Sequence, residues 1–151
     1  MKIDEMNARV RLEVSIEQAD AMTKGLDLSC RIMMGQVDEL CTLARSGRLL
    51  ARDDRAKGGH RPLTFDEIEN MQGHLRAISS ILGHGGGSFG IGAPGVPIEA
   101  KRQYEIKKVV EKVVADHRQP GAIFVQNDGL IVRYTRDEKP RAQLETGEEM
   151  T

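Results

Sequence analysis

A run of glycine between residues 83 and 95 is the feature that most constrains the fold of this chain. Seven of the sixteen glycines fall within these thirteen positions, and no other stretch is so biased. Such a run predicts a loop, because glycine weakens both helices and strands. It also lets consecutive backbone N–H groups approach an anion closely. The segment is therefore either a binding loop or a flexible surface connection.

Two residues favour the binding interpretation. Phe89, one of three phenylalanines, lies in the middle of the loop, where an exposed ring is useful only if it packs or stacks on something flat. Pro97 suits the first position of a helix, whose partially positive N-terminus would then face the loop. The loop matches the Gly-x-Gly-x-x-Gly dinucleotide fingerprint twice, at 85–90 and 90–95. A helix is predicted before it, however, whereas that fingerprint requires a strand.

The N-terminal part predicts one strand and one long helix. Residues 8–14 alternate apolar and charged side chains, the pattern of a half-buried strand. Ser15-Ile-Glu-Gln18 then matches a capping box, and apolar residues keep helical spacing to about Arg45. Gly25 and Gly35 inside this helix of about thirty residues each cost roughly 1 kcal/mol relative to alanine. We therefore expect another backbone or helix to pack closely at both glycines.

Two more helices flank the glycine loop. Residues 46–63 are basic and aperiodic, which indicates a mobile surface loop. Thr64-Phe-Asp-Glu67 is a second capping box, and it opens a helix with an apolar face that ends at Gly83: Ile68, Met71, Leu75, Ile78 and Leu82. A third helix is predicted from about Pro97 to Asp116, with this apolar side: Ile106, Val109, Val110, Val113 and Val114.

A polar stripe on the third predicted helix suggests a phosphate site. Lys101, Tyr104, Lys108 and Lys112 share one face, which we expect to lie beside Ser88 and Phe89. An aromatic hydroxyl flanked by ammonium groups next to a glycine loop suits a phosphate-bearing ligand. The alternative is an ordinary solvated lysine face.

The C-terminal part predicts a hairpin and a tail. Residues 122–126 and 130–135 flank Asn127-Asp-Gly129, a strong turn signal for a β-hairpin. Residues 138–151 are polar, mixed in charge and without pattern, so we expect a disordered tail after a single domain over 1–137. The predicted fold is α+β: a long N-terminal helix, two further helices, and a small antiparallel sheet made of the N-terminal strand and the C-terminal hairpin.

Composition excludes several classes of function. The 22 basic residues balance 23 acidic ones, which argues against a nucleic-acid coat or a membrane-surface protein. No apolar run approaches the roughly 18 residues of a membrane span, and residues 1–7 lack a signal-peptide core, so we expect a cytosolic protein. Cys30 and Cys41 are too far apart on one helix to form a disulfide. The four histidines lack zinc-site spacing, so we expect no metal.

No catalytic motif emerges from the sequence. There is no Gly-x-Ser-x-Gly elbow, no Gly-Lys-Ser/Thr phosphate loop, and no distinctive pair of carboxylates. Helix-turn-helix and zinc-finger spacings are also missing, which argues against recognition of double-stranded DNA. We therefore expect a binding protein rather than an enzyme, without a cofactor.

Two stretches resemble a known family of small bacteriophage proteins. They are Leu26-Asp-Leu-Ser-Cys-Arg-Ile-Met-Met-Gly-Gln36, and Ser88-Phe-Gly-Ile91 followed by Pro94 and the third predicted helix. In these the chain is similar to the first Thoeris anti-defence family, whose members sequester the cyclic ADP-ribose signals of bacterial TIR enzymes and, in some cases, cyclic oligonucleotides. The resemblance covers about residues 15–115 and implies a protein of the infected host's cytoplasm.

The resemblance also implies an assembly and a site. Subunits would associate through long helices and edge strands into dimers or larger oligomers, with ligand pockets between subunits. Ser88, Phe89, Gly90 and Ile91 would hold the adenine and ribose, with Phe89 stacked on the base. Arg31 would serve a second pocket for cyclic oligonucleotides, and Arg133 would project from the C-terminal hairpin as part of a lid or a dimer edge.

The chain departs from the family at one position. The family has an arginine in the middle of its third helix, where this chain reads Val109-Val110-Glu111-Lys112. Lys108 or Lys112 would then have to contact the pyrophosphate, as point charges rather than bidentate forks. The function expected from the sequence is thus a non-enzymatic nucleotide sponge. Its rivals are a phage protein that acts through protein contacts, using residues 48–61 and the tail, and a nucleotide-using enzyme.

Overall fold

A computed structural model describes residues 9–84, 87–118, 135–137 and 140–145. Within these ranges the chain forms helices α1 (Ile16–Met33), α2 (Glu39–Arg45), α3 (Phe65–Ile81) and α4 (Ile98–Arg118), and strands β1 (Leu50–Arg52) and β2 (His60–Pro62). The α+β class predicted from the sequence is confirmed, but the described strands lie elsewhere. No described helix combines the length and the apolar character needed to cross a membrane.

Both predicted capping boxes are present. At α1, the Gln18 N–H donates to Ser15 Oγ at 3.1 Å, and the Ser15 N–H donates to the Gln18 side chain at 3.0 Å. At α3, the Glu67 N–H donates to Thr64 Oγ1 at 3.3 Å, and the Thr64 N–H donates to Glu67 Oε2 at 2.9 Å. These reciprocal bonds satisfy N–H groups that have no partner inside the helix. The starts of α1 and α3 were therefore correctly predicted.

The predicted thirty-residue helix is wrong, because α1 ends before Gly35. Gly35 has φ of +90°. Its N–H donates to the Ile32 carbonyl at 3.0 Å, and the Gln36 N–H donates to the Arg31 carbonyl at 2.8 Å. This pair of bonds is the Schellman motif, in which a left-handed residue satisfies the last carbonyls of a helix. Helix α2 then starts as a separate element in a new direction.

The same motif closes the next two helices. Gly47 and Gly83 also have positive φ, +69° and +79°. Their N–H groups donate to Ala44 and Ser80 at 3.1 and 3.0 Å, and the following residues complete the pattern at 2.9 and 3.1 Å. Gly83 confirms the predicted end of the second helix. Gly35, by contrast, is a helix terminator rather than a packing site inside a helix.

The predicted mobile loop at 46–63 contains a β-hairpin. Strands β1 and β2 pair antiparallel, with Ala51 opposite Arg61 at the centre of the register. The ribbon is fastened to α3, since Arg61 donates to Glu67 through both terminal nitrogens, at 2.7 and 2.8 Å. Each strand has only three residues. This is too short for the alternation that signals a strand in a sequence.

The predicted N-terminal strand is not formed in the described residues 9–14. The apolar residues of that segment face solvent, and Val10 is 96% exposed. Alternation creates an apolar side, but a strand also needs a neighbour to pair with. The predicted C-terminal hairpin lies outside the described residues apart from Thr135, and so does Arg133. The described part of the tail, residues 140–145, contains neither helix nor strand.

Helix α1 makes its most extensive contacts with α4. Their shared core cluster, called the first core cluster here, contains four buried residues: Cys30, Met34, Val96 and Ala100. Residues Ile91 and Ala93 of the glycine loop and Tyr104 of α4 pack against it. The Cys30 thiol donates to the Ala100 carbonyl at 3.2 Å. The glycine loop is therefore partly a core element and not a free connection.

A second core cluster joins α2 to α3. It contains Cys41, Ala44, Ile68 and Leu75, with side chains around the hairpin packed against it. The predicted apolar face of α3 is only partly buried, since Ile78 and Leu82 remain exposed. On α4, Val109 and Val114 are buried as predicted, whereas Ile106 is exposed. The described residues thus form two packed units, joined by the bend at Gly35 and by the glycine loop.

The segment 135–137 is fastened to α4. Glu105 is only 4% exposed. Its two carboxylate oxygens accept from the Thr135 N–H and from Thr135 Oγ1, both at 2.8 Å. One turn away, Arg102 Nε donates to Asp137 Oδ2 at 2.6 Å. The chain therefore returns to α4 immediately before the predicted tail.

Candidate functional site

A groove of about 580 Å³ lies where the two packed units meet. Its walls come from the bend after α1, from the second half of α3 and from the start of the glycine loop: Gly35, Gln36, Val37, Asp38, Glu39, Gln72, Leu75, Arg76, Ser79, Ser80, Gly87 and Ser88. This volume is within the usual range for small-molecule sites. Of the predicted site residues that the structure describes, only Ser88 lines the groove.

Helix α3 supplies half of the polar residues in the described lining. Gln72, Arg76 and Ser80 are four residues apart and so lie along one side of the helix. Leu75, on the adjoining side, is buried in the second core cluster and forms apolar floor. One side of α3 therefore offers an amide, a guanidinium and a hydroxyl to the groove.

The opposite wall is built where the glycine loop meets the bend after α1. The Phe89 N–H donates to the Met34 carbonyl at 3.0 Å. Gln36 Nε2 donates to Ser88 Oγ at 3.3 Å. The His84 ring lies against Gly35 so closely that a Cβ at residue 35 would collide with it. These contacts fix the described start of the loop, 87–90, against the end of α1.

The Phe89 ring is held in place yet half open to solvent. Its centroid is 4.7 Å from that of His84 in an edge-to-face arrangement with an 82° interplanar angle. On another side it lies over Gly95. The residue nevertheless remains 45% exposed. A supported aromatic ring with a free surface can accept a flat partner by stacking.

The two other predicted loop residues, Gly90 and Ile91, make contacts within the fold. Ile91 packs against the first core cluster. The Gly90 carbonyl accepts from the Ala93 N–H at 2.9 Å in a turn. Neither lines the groove. Their roles in the resemblance-based site stay predictions.

Arg31 lies behind the groove wall rather than in a pocket of its own. It donates to Asp27 at 2.7 Å, to Gln36 Oε1 at 2.9 Å and to Glu39 at 3.4 Å. Burial opposes ionisation of Asp27, but hydrogen bonds from Lys107 and Arg31 outweigh it and lower the pKa of this carboxyl. The hydrogen bond to Asp27 also raises the pKa of the Arg31 guanidinium.

The predicted stripe on α4 does not line the groove. Tyr104 packs against the first core cluster, with Lys108 Nζ at 5.5 Å from its ring centroid. Lys108 also lies 3.9 Å from Glu111, and Lys112 pairs with Asp116 at 2.7 Å. Lys101 belongs to the first turns of α4 and is half-buried. The four residues share a helix, but the polar groups of the groove come from α3, the bend after α1 and Ser88.

Sequence reasoning missed Arg76 as a candidate. Within the described ranges, its guanidinium forms no ion pair or hydrogen bond, and the residue is exposed at the groove. It is the only Lys or Arg in the described lining, which also contains the acidic Asp38 and Glu39. The helical spacing of Gln72, Arg76 and Ser80 can be read from the sequence, but it does not by itself indicate a binding site. Only the packing of α2 against α3 shows that this side borders a groove.

The described residues provide no assembled metal centre. No three His, Cys, Asp or Glu side chains among them converge on a common point. Both cysteines are buried, and burial raises the pKa of the Cys30 thiol. A raised thiol pKa disfavours the thiolate that nucleophilic chemistry would need. The described lining of the groove offers hydrogen-bonding groups, one guanidinium and two carboxylates.

Comparison with known proteins gives no relative from which a function could be transferred. No protein-family profile, curated protein or solved structure matches this chain.

Proposed function

We propose that this chain binds and sequesters a nucleotide signal, such as a cyclic ADP-ribose isomer, without cleaving it. The observation that supports this most is the groove itself, which is lined by Ser88 of the glycine loop and by Arg76, whose guanidinium has no ion-pair partner among the described residues. A volume of about 580 Å³ is sufficient for a nucleotide-sized ligand. In the infected host, removal of such a signal would block a defence response.

Different residues of the lining suit the phosphate, the ribose and the base of the ligand. Arg76 can bind a phosphate in a bidentate manner, which the lysines of α4 cannot. Asp38 and Glu39 would repel phosphate but can accept hydrogen bonds from ribose hydroxyls. Phe89 does not line the groove, but it follows Ser88 in the chain and is 45% exposed, so its ring can stack on a base that extends past Ser88. We therefore expect the phosphate to bind at Arg76 and the ribose at the bend after α1.

The charge of the lining favours a ligand with few phosphates. The described lining holds two carboxylates and one guanidinium, so a ligand's further phosphates find no cation among these residues. The two phosphates of a cyclic ADP-ribose isomer fit this balance better than the three or more phosphates of a larger cyclic oligonucleotide. The second ligand class suggested by the family resemblance is accordingly the weaker proposal.

A binding experiment tests the function directly. The purified protein is incubated with a cyclic ADP-ribose isomer, uptake is measured by titration calorimetry, and the ligand is then released by heat and identified by mass spectrometry. Sequestration predicts uptake and recovery of the intact molecule. An altered product would instead indicate a nucleotide-using enzyme, and a complete lack of uptake would contradict the proposal.

Matched variants locate the site. Arg76→Ala should weaken binding by about 1.5–3 kcal/mol, with a smaller loss at high salt. Phe89→Ala should remove about 1–3 kcal/mol of stacking with little salt dependence. Lys112→Ala is the control, since Lys112 pairs with Asp116 and does not line the groove. Weakening by Lys112→Ala alone would return the site to the α4 stripe.

A specific observation supports one alternative. Among the described residues, Arg48, Arg55 and Lys57 of the hairpin region are exposed and lack an ion pair with a carboxylate. They could contact an acidic surface of a partner protein. If the titration shows no uptake, a triple alanine variant of these residues in a pull-down from infected cells tests this contact function.

A further inference from the structure

A chain of side-chain hydrogen bonds leads from α4 through α1 to the groove. Lys107 Nζ lies 2.5 Å from Asp27 Oδ1, and Asp27 Oδ2 accepts from Arg31 Nε at 2.7 Å. Arg31 Nη1 donates to Gln36 Oε1 at 2.9 Å, and Gln36 Nε2 donates to Ser88 Oγ at 3.3 Å. Only the last two residues line the groove.

The donor and acceptor roles along this chain follow from chemistry. A guanidinium can only donate, so the carbonyl end of the Gln36 amide must face Arg31. The NH₂ end is then directed at Ser88, whose oxygen acts as acceptor. A hydroxyl that accepts one bond keeps its O–H to donate elsewhere. Ser88 therefore presents a hydrogen-bond donor to the groove.

Arg31 is itself held against rotation. Asp27 is one turn earlier on the same helix and is fixed from α4 by Lys107, whose side chain is 13% exposed. Glu39, at the start of α2, lies 3.4 Å from the same Nη1. Bonds on both sides of the guanidinium leave it one position, and that position sets the orientation of the Gln36 amide.

We propose that Arg31 is a positioning residue of the groove, which acts through Gln36 to make Ser88 a donor. The Ser88 wall then selects an acceptor group of the ligand, such as a phosphate or carbonyl oxygen, and Arg31 makes no ligand contact. This ligand preference rests on the proposed function. The orientation of Gln36 and Ser88 does not.

The ligand-free arm of the test observes the Gln36 side-chain amide by ¹H–¹⁵N NMR. The two protons of a glutamine side-chain amide give separate signals whether or not the amide is held, because rotation about its C–N bond is slow. In the wild type their chemical shifts should differ from those of a solvent-exposed glutamine, and their exchange with solvent should be slow. Arg31→Met should move the shifts towards the exposed values and speed that exchange, and Ser88→Ala should shift one of them. Arg45→Met is the control, because Arg45 donates to Gln72, another groove amide, at 3.3 Å. Unchanged Gln36 signals in Arg31→Met would overturn the proposal.

The binding arm titrates a cyclic ADP-ribose isomer into the wild type, Arg31→Met, Gln36→Met, Ser88→Ala and the Arg31/Ser88 double variant. Each single change should weaken binding about tenfold, the loss of one hydrogen bond. The double variant should be no weaker than Ser88→Ala, since residues acting in series are not additive. Additive losses would contradict the proposal that Arg31 acts through Gln36 on Ser88. If the wild type takes up no ligand, the proposed function fails, while the Gln36 amide signals still test whether Arg31 positions Gln36.

Discussion

Two glycines in the same predicted helix have opposite effects at the level of single residues. Gly25 lies inside α1 with open space where a Cβ would be, so it contributes only flexibility. Gly35 has φ of +90° and lies against the His84 ring. The spacing of apolar residues cannot distinguish a glycine inside a helix from one that ends it, because the apolar pattern can continue past a helix-terminating glycine. The distinction depends on a tertiary contact.

Alanine at these two positions should therefore change stability in opposite directions. Gly35→Ala should lower the free energy of unfolding by about 1–3 kcal/mol, since alanine is strained at positive φ and its Cβ would collide with His84. Gly25→Ala should raise it by about 0.5–1 kcal/mol, because alanine restricts the unfolded chain without strain. Urea denaturation of both variants checks this. A stabilising Gly35→Ala would mean that α1 and α2 are continuous.

Glu67 should make stability depend on acid pH. Hydrogen bonds from Arg61, and then from the Thr64 backbone N–H, lower the pKa of Glu67 from its ordinary value of 4.5 to about 2. The folded state thus holds the carboxylate charged where the unfolded chain would protonate it. This contribution is complete above about pH 4.5 and is lost as the pH falls towards about 2.

Glu67→Gln gives the matched comparison, since glutamine can keep the capping box while it removes the titrating group. Its melting temperature should fall less steeply than that of the wild type between pH 4.5 and pH 2. At neutral pH the wild type should be the more stable of the two. Identical pH profiles would show that the bonds between Arg61 and Glu67 do not persist in solution.

At the level of elements, the sequence predicts helix starts better than strands. A capping box is a local pattern, so Ser15 and Thr64 could be identified without knowledge of the fold. Strands β1 and β2 have three residues each and are stabilised by each other and by Arg61 on Glu67, none of which appears as periodicity. Residues 9–14 show the converse, because their alternation is clear but no described strand lies beside them.

The C-terminal segment offers a test at this level. Glu105 and Arg102 of α4 bind residues 135–137. In the described part of the tail, residues 140–145, Glu145 forms an exposed ion pair with Arg11, and such a pair contributes little to stability. Deletion of residues 138–151 should therefore change the melting temperature by no more than a few degrees. Glu105→Ala should cost about 1–3 kcal/mol, because it leaves the Thr135 donors without their acceptor. Thermal unfolding of the deletion variant and of Glu105→Ala tests this. A larger fall in melting temperature in the deletion variant than in Glu105→Ala would contradict the prediction.

At the level of the whole molecule, the groove results from the break at Gly35. With a continuous helix, α2 could not turn to pack on α3, and the residues from Gly35 to Glu39 would not face Arg76. The sequence could identify Ser88 and Phe89, because the glycine run is visible in one dimension. It could not identify Arg76 or Gln36, because their role depends on how two separately packed units meet.

Self-association is also a property of the whole molecule. The long helix through which the resemblance implies association is not formed, but the apolar face of α3 continues past its buried part to an exposed end: Ile78, Ile81 and Leu82. Ile81 is 83% exposed. Burial of each such side chain is worth about 1.5–3 kcal/mol, and apolar clusters of this kind mark contact surfaces. We therefore expect copies of this chain to associate through the end of α3.

Sedimentation velocity at micromolar concentrations measures this directly. The wild type should exceed the mass of one 16.7 kDa subunit, and Ile81→Ser combined with Leu82→Ser should shift it towards the monomer. Ile98→Ser is the matched control, since Ile98 is comparably apolar and exposed but lies at the start of α4. A wild type that sediments as one subunit throughout the range would contradict the prediction. An equal effect of the control variant would mean that the contact is not confined to the end of α3.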